Sequence, residues 1–260
     1  LIRSRGLGDV YKRQVETGSH KELLENKSIY HSLYKNKFED SLDVSDKPVQ
    51  SVQLYMPEYN DEVTSSFVVD SWYNKSIWLY LLYPFSLIFS FLTSRRRRRY
   101  IKNKIKSFTS KIPIIVIGNL TIGGTGKTPL VKYIATELIA KGYKPGIVSR
   151  GYGGQFKKTL KVTNETSVKE TGDEAQILSK LGIPFYIDKN RVRAVKAIIK
   201  NNDCDVILSD DGLQHYKMGR NIEIAVIDGK RRFGNNLTFP AGPLRESKDR
   251  LKTVDFIVNN

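Results

Sequence analysis

The sequence predicts an α/β fold: a mostly parallel sheet with helices on both faces, preceded by a membrane-associated apolar helix. Three observations predict it. From residue 112 onward, short and nearly all-apolar runs alternate with helix-periodic segments, the pattern of strands buried on both faces. A glycine-rich turn stands between the first such run and the first such helix. Before them, an uncharged block at 77–92 abuts a run of arginines and lysines at 95–111. The composition is that of a globular chain: 260 residues, 40% hydrophobic and 10% aromatic, which excludes a wholly disordered or collagen-like protein.

Taken in order, residues 1–14 have neither helical nor strand period and read as a non-native leader. Residues 15–40 carry helical spacing at Leu23, Leu24, Tyr30 and Leu33. Their GSHKELL string resembles the C-terminal end of the nucleotide-binding domain of an ABC transporter, without any of that domain's ATP-binding motifs; a generic surface helix is the plainer alternative. Residues 41–66 hold five acidic residues, one lysine and two prolines, and read as a linker. Met56 within it is a candidate start of a second gene product.

Residues 67–111 form the next unit. Lys plus Arg is 43 and Asp plus Glu is 27, a net charge of +16, and nine of the basic residues fall in RRRRRYIKNKIKSFTSK at 95–111. The block before it, IWLYLLYPFSLIFSFL, is uncharged. Apolar side chains entering lipid beside cations meeting anionic headgroups make a membrane signal. The block is shorter than the roughly 20 residues a spanning helix needs, and Pro84 is expected to kink it. A helix lying in, or dipping into, one leaflet is therefore expected, with a buried core helix as the alternative. Nucleic acid is not an expected partner, because the aromatics lie in the apolar block and are not interleaved with the arginines.

The remaining unit is 112–260. IPIIVIG (112–118) reads as a buried strand, followed by a helix from about 128 to 141. Strands are expected at 145–150, 183–187, 205–209, 222–228 and 254–258, with helices at 172–182 and 189–202. Cys204 is the only cysteine, so no intramolecular disulfide and no thiolate zinc site can form. His20, His31 and His215 are not at metal-ligand spacing.

The turn reads GNLTIGGTGKTP at 118–129 and matches G-x-x-x-x-G-K-[ST] except that Thr121 stands at the first glycine. This narrows the fold to a P-loop NTPase type. Thr121, Ile122, Gly123, Gly124, Thr125, Gly126, Lys127 and Thr128 are the expected nucleotide-binding residues. Lys127 would meet the β- and γ-phosphates, and the Thr128 hydroxyl would reach Mg²⁺. Pro129 suits a first helical turn, whose free N–H groups favour an anion. A second acidic site is expected at Asp210 and Asp211, which end the apolar run DVILSDD where such folds hold the metal; turn-forming aspartates before Gly212 are the alternative.

GNLTIGGTGKTP, SRGYGG (149–154), TGDEAQIL (171–178), DDGLQHYKMGRNIEIAVIDG (210–229) and RRFGNNLTFPAGPLRE (231–246) occur in that order. Together they closely resemble the tetraacyldisaccharide 4′-kinases, the lipid A 4′-kinases of Gram-negative bacteria. The resemblance covers about residues 67–260 and includes threonine at the first P-loop position. It implies transfer of the γ-phosphate of ATP, with Mg²⁺, to the 4′-hydroxyl of an acylated glucosamine disaccharide 1-phosphate. The setting it implies is the cytoplasmic face of the inner membrane, with no protein partner. It also implies roles for residues. Asp173 matches the catalytic aspartate, Asp210 and Asp211 match the Mg²⁺-linked pair, and Arg245 matches a basic residue near the transferred phosphate. Arg150 and His215 are candidates for acceptor contacts. From the residues alone, Asp173 is equally a helix N-cap, Arg245 a loop arginine and His215 a turn residue. An ABC lipid flippase gene often precedes these kinases, which would account for residues 15–40. The family continues beyond the last strand here, and a histidine in that continuation pairs with the catalytic aspartate, so this chain is expected to bind nucleotide and catalyse poorly. A membrane-attached ATPase switch without an organic acceptor is the alternative; its signature lysine before the paired glycines is replaced by Ile122.

Overall fold

The computed structural model describes Gln50–Gln53 and residues 67–260. The expected leader at 1–14, the transporter-like segment at 15–40 and Met56 lie outside the described residues. The chain runs β1 (Gln50–Gln53), α1 (Phe67–Asn74), a 3-10 helix (Ile77–Leu82), α2 (Tyr83–Ile101), β2 (Ile114–Gly118) and α3 (Lys127–Ala140). It continues with β3 (Pro145–Ser149), β4 (Leu160–Lys161), α4 (Val168–Thr171), α5 (Asp173–Ser179), β5 (Phe185–Ile187) and α6 (Arg191–Asn201). Last come β6 (Val206–Ser209), β7 (Ile222–Ile227), a 3-10 helix (Lys248–Thr253) and β8 (Phe256–Asn259).

The strands make one eight-stranded sheet in the order β1-β8-β7-β2-β6-β3-β5-β4. Every pairing is parallel except β4 against β5. Alternation along each strand splits the apolar residues between two layers. Ile114, Val116, Val148 and Ile207 face a core with Val195 and Ile198 of α6. Ile117, Ile147 and Leu208 face a second core with Leu130 and Val131 of α3 and Leu178 of α5. The strand β2 is central, and the chain leaves it for β3 across the intervening β6. That reversal opens a crevice at the carboxyl ends of β2 and β6, the place where such sheets bind ligands.

Among the differences from the sequence expectation, the short β4 and α4 were not foreseen, and three others bear on the fold. Gln50–Gln53, inside the expected linker, pairs in parallel with β8 at the sheet edge; without apolar alternation, nothing in QSVQ signals a strand. The helix expected at 172–182 is shorter, because Gly172 and Gly182 at its ends take positive φ values of 83° and 66°. Pro84 does not kink a helix but sits in the first turn of α2, where its missing N–H costs nothing.

The helix α2 packs in the opposite sense to a core helix. Ser86 and Tyr100 are buried and Arg97 is half-buried, at the spacing of one helical face. Ser86 Oγ donates to the Thr238 carbonyl at 2.8 Å and accepts from the Ala241 N–H at 2.9 Å. Tyr100 stacks on Tyr216 with ring centroids 5.9 Å apart, and Arg97 donates to Thr253 Oγ1. Trp72 of α1 donates to the Pro240 carbonyl at 3.0 Å. The apolar side points outward: Ile77, Leu81, Phe85, Ile88, Phe91 and Leu92 are all exposed. This exposure excludes the buried-core reading, and Ile77–Ile101 is long and apolar enough to cross a membrane by length and composition.

Candidate active site

The phosphate loop is shaped by its glycines. Gly123 and Gly126 have φ of 108° and 77°, values that side chains resist. A Cβ on Gly126 would also stand 2.4 Å from Asn260 Nδ2. Gly126 is the residue before α3, so the unpaired N–H groups of the helix's first turn face the loop. Lys127 and Thr128 are buried beneath it. Thr121 and Ile122 are placed differently from expectation. Thr121 bridges Leu244, and the Ile122 N–H is taken by the Pro243 carbonyl at 2.8 Å. Neither these two nor Gly123 lines the cleft, whose loop residues are Gly124 to Pro129. The same bridge brings PAGPLRE to the loop, with the Arg245 N–H bonding the Leu120 carbonyl at 2.6 Å.

Asp210 and Asp211 follow β6, as expected. Asp211 takes φ of 48°, a left-handed conformation that aspartate tolerates. Its carboxylate accepts from Arg245 Nη1 at 3.0 and 3.1 Å and lies 3.8 Å from Lys127 Nζ. Burial acts to raise its pKa, but Lys127, Arg245 and Arg191 outweigh it and hold the carboxyl below its ordinary range. Asp210 is 1% exposed with Oδ1 lacking a protein partner. Burial pushes its pKa up to about 7, against the pull of Lys127. Arg191, which the sequence analysis missed, opens α6 and is buried beneath this pair. It donates to the backbone carbonyls of both aspartates. Its sequence context, a helix start after Asn190, carries no signal of that role.

Asp173 is the first residue of α5 and makes no N-cap bond; the cap position is Gly172. Its side chain lines the same cleft as Lys127 and Thr128. SRGYGG acts on it through the backbone. A Cβ on Gly172 would lie 2.0 Å from the Tyr152 carbonyl, and one on Gly154 would lie 2.4 Å from the Glu170 carbonyl. The two loops thus touch main chain to main chain, which only glycines allow.

The cleft encloses about 1020 Å³, at the upper end of small-molecule sites. Besides the loop and Asp173 it contains Asp228, Arg231 and Asn260, which the sequence analysis did not single out. Asp228 follows an apolar strand, the same signal that marked Asp210. Arg231 Nε bonds Asp228 Oδ2 at 2.7 Å, and its Nη2 donates to the Gly124 carbonyl. Arg150, Asp210, Asp211, His215 and Arg245 lie off this cleft lining, Asp211 being joined to it through Lys127. His215 Nε2 is buried without a protein partner. Burial, then Arg191, Arg220, Arg96 and Lys217, lower its pKa to about 4. Arg150 also has a like-charge effect on Arg191, smaller than the opposing pull of Asp211 and Asp210.

These residues fit a nucleoside triphosphate with a divalent cation. The loop supplies N–H groups and a buried cation, and Thr125 Oγ1 and Asp210 Oδ1 are buried polar atoms without protein partners. Among the described residues no three His, Cys, Asp or Glu side chains cluster as a metal cage.

Comparison with known proteins agrees with this geometry. A tetraacyldisaccharide 4′-kinase of Psychromonas ingrahamii is 48% identical over 191 residues, covering 73% of this chain and 60% of the relative. One of Methylobacillus flagellatus is 43% identical over 198 residues, covering 75% and 59%. The chain therefore spans about 60% of the length of these relatives. The crystal structure of LpxK from Aquifex aeolicus in complex with ATP superposes with a TM-score of 0.65 at 30% identity, covering 71% of this chain and 59% of that one. Residues 78–260 match the family described as tetraacyldisaccharide-1-P 4′-kinase, LpxK, and the chain belongs to that family.

Proposed function

We propose that the protein transfers the γ-phosphate of ATP to the 4′-hydroxyl of tetraacyldisaccharide 1-phosphate, giving lipid IVA at the cytoplasmic face of the inner membrane. The observation that carries the proposal is the shared cleft of Lys127, Thr128 and Asp173 beside the Lys127–Asp211–Arg245 cluster. The relatives bear the name of this reaction, and the Aquifex protein holds ATP.

In this reading the N–H groups of the loop, with Gly124 to Thr128 in the cleft, cradle the phosphates and Lys127 offsets charge on the β- and γ-oxygens. Mg²⁺ would be held by Thr128 with Asp210 and Asp211, and supplies charge neutralisation at the phosphates. Arg245, fixed by Asp211, stands ready for the transferred group. Asp173 accepts or orients the proton of the attacking hydroxyl. Arg150 and His215, the latter acted on by Arg96 of α2 and by Arg191, would meet the anionic sugar-phosphate head of the acceptor. The outward apolar side of α2 suits an acceptor that stays in the bilayer.

The test uses the protein in detergent with ATP, Mg²⁺ and radiolabelled tetraacyldisaccharide 1-phosphate, as this chain and completed with the remaining sequence of the Psychromonas relative. A bis-phosphorylated lipid is expected, with its rate falling at least about 100-fold in Asp173→Ala. Release of inorganic phosphate with no lipid product would overturn the proposal in favour of an ATPase switch.

A further inference from the structure

The phosphate loop is held by side chains of the cleft as well as by its glycines. Arg231 projects from the turn after β7. The Asp228 carboxylate fixes it twice over: Oδ1 accepts the Arg231 backbone N–H at 2.8 Å, and Oδ2 accepts Nε at 2.7 Å. With Nε held, Nη2 donates to the Gly124 carbonyl. In a trans peptide the carbonyl and the following N–H point in opposite directions. A donor that holds the Gly124 carbonyl therefore fixes the direction of the Thr125 N–H on the other side of the same peptide. Asn119 Nδ2 does the same one peptide earlier, bonding the Gly123 carbonyl at 3.3 Å. The Arg231 guanidinium also lies 6.0 Å from the ring centre of Tyr73, on the helix α1.

We infer that Arg231 is a positioning residue for the nucleotide: clamped by Asp228 and backed by Tyr73, it orients the Gly124–Thr125 peptide of the phosphate loop. The inference rests on the proposed function only in taking the loop to bind ATP. It is read from nucleotide binding without acceptor, so failure to phosphorylate lipid would leave it standing.

The discriminating variant is Asp228→Asn. The asparagine Oδ1 can still accept the N–H groups of Lys230 and Arg231, which bond Asp228 at 2.9 and 2.8 Å, so the turn is kept while the clamp on Nε is lost. Removing a negative charge from an anion site should tighten ATP binding if Arg231 merely attracts phosphate. The positioning role gives the opposite sign. With the chain in detergent, equilibrium binding of labelled ATP is expected to weaken by about tenfold in Arg231→Ala and by severalfold in Asp228→Asn. Arg231→Lys, which cannot serve both Asp228 and Gly124, is expected to resemble the alanine variant. Tyr73→Ala is expected to weaken binding less, with Tyr73→Phe neutral because the ring face remains. Melting temperatures without nucleotide should stay at the wild-type value while the upshift given by ATP shrinks. Unchanged or tighter ATP binding in Asp228→Asn, or full binding by Arg231→Lys, would overturn the inference.

Discussion

His215 shows how a single side chain can be held in one protonation state by its neighbours. Its imidazole is partly buried among Arg191, Arg220, Arg96 and Lys217, and its pKa falls from 6.5 to about 4. Between those values the unfolded chain binds more protons than the folded one, so stability is full above about 6.5 and drops as pH falls toward 4. Discounted for partial exposure, this is worth about 1–2 kcal/mol. Urea unfolding at pH 7.5 and 4.5 should show wild type losing about that much more than His215→Gln; equal losses would mean the imidazole is not held neutral. The histidine was visible in the sequence, as were Lys217 and Arg220 beside it, but Arg96 and Arg191 reach it from distant segments and that meeting was not. Lys127, Asp210 and Asp211 were legible because each sits at a fixed offset from a strand end. Arg191 and Arg231 were not, because their partners are backbone carbonyls, which no side-chain pattern encodes.

At the scale of elements, strands buried on both faces announce themselves as apolar runs, and β2, β3, β6 and β7 fall where the runs do. The two-residue β4 and the polar β1 are edge strands with no such constraint, and the sequence is silent on them. The glycine-rich SRGYGG was legible as a turn; its contact with the turn before Asp173 was not. Gly172 and Gly142 separate the two demands on glycine, since both have positive φ, 83° and 81°. A Cβ on Gly142 meets nothing within 4 Å, whereas one on Gly172 meets the Tyr152 carbonyl at 2.0 Å. Gly142→Ala should therefore cost only the left-handed strain, about 1 kcal/mol. Gly172→Ala must push the two loops apart and should cost about 3 kcal/mol or more. Chemical denaturation of both variants reads the difference, and equal costs would mean the loops are free to separate.

For the whole molecule, the proposed membrane setting turns on one helix. The helix α2 gives its small and polar face to the domain, through Ser86, Arg97 and Tyr100, and its apolar face to the surroundings. That inversion of the ordinary amphipathic pattern has no use in water, where the exposed side chains would be a liability. The arginines extend the same logic. Arg95, Arg96, Arg98 and Arg99 are exposed, while Arg97 is committed to Thr253. Each exposed arginine near an anionic surface is worth about 1 kcal/mol. Changing those four to glutamine should then weaken binding to vesicles containing anionic lipid by about 100-fold or more. The same change should leave binding to neutral vesicles nearly as it was, since the apolar face is intact. Raising the salt should weaken wild-type binding toward that of the variant, because the electrostatic contribution is screened over about 8 Å at physiological ionic strength. Co-sedimentation with the two kinds of vesicle reads all three. If the variant binds anionic vesicles as tightly as wild type, the arginines serve the fold rather than the membrane, and the apolar face of α2 alone must account for attachment.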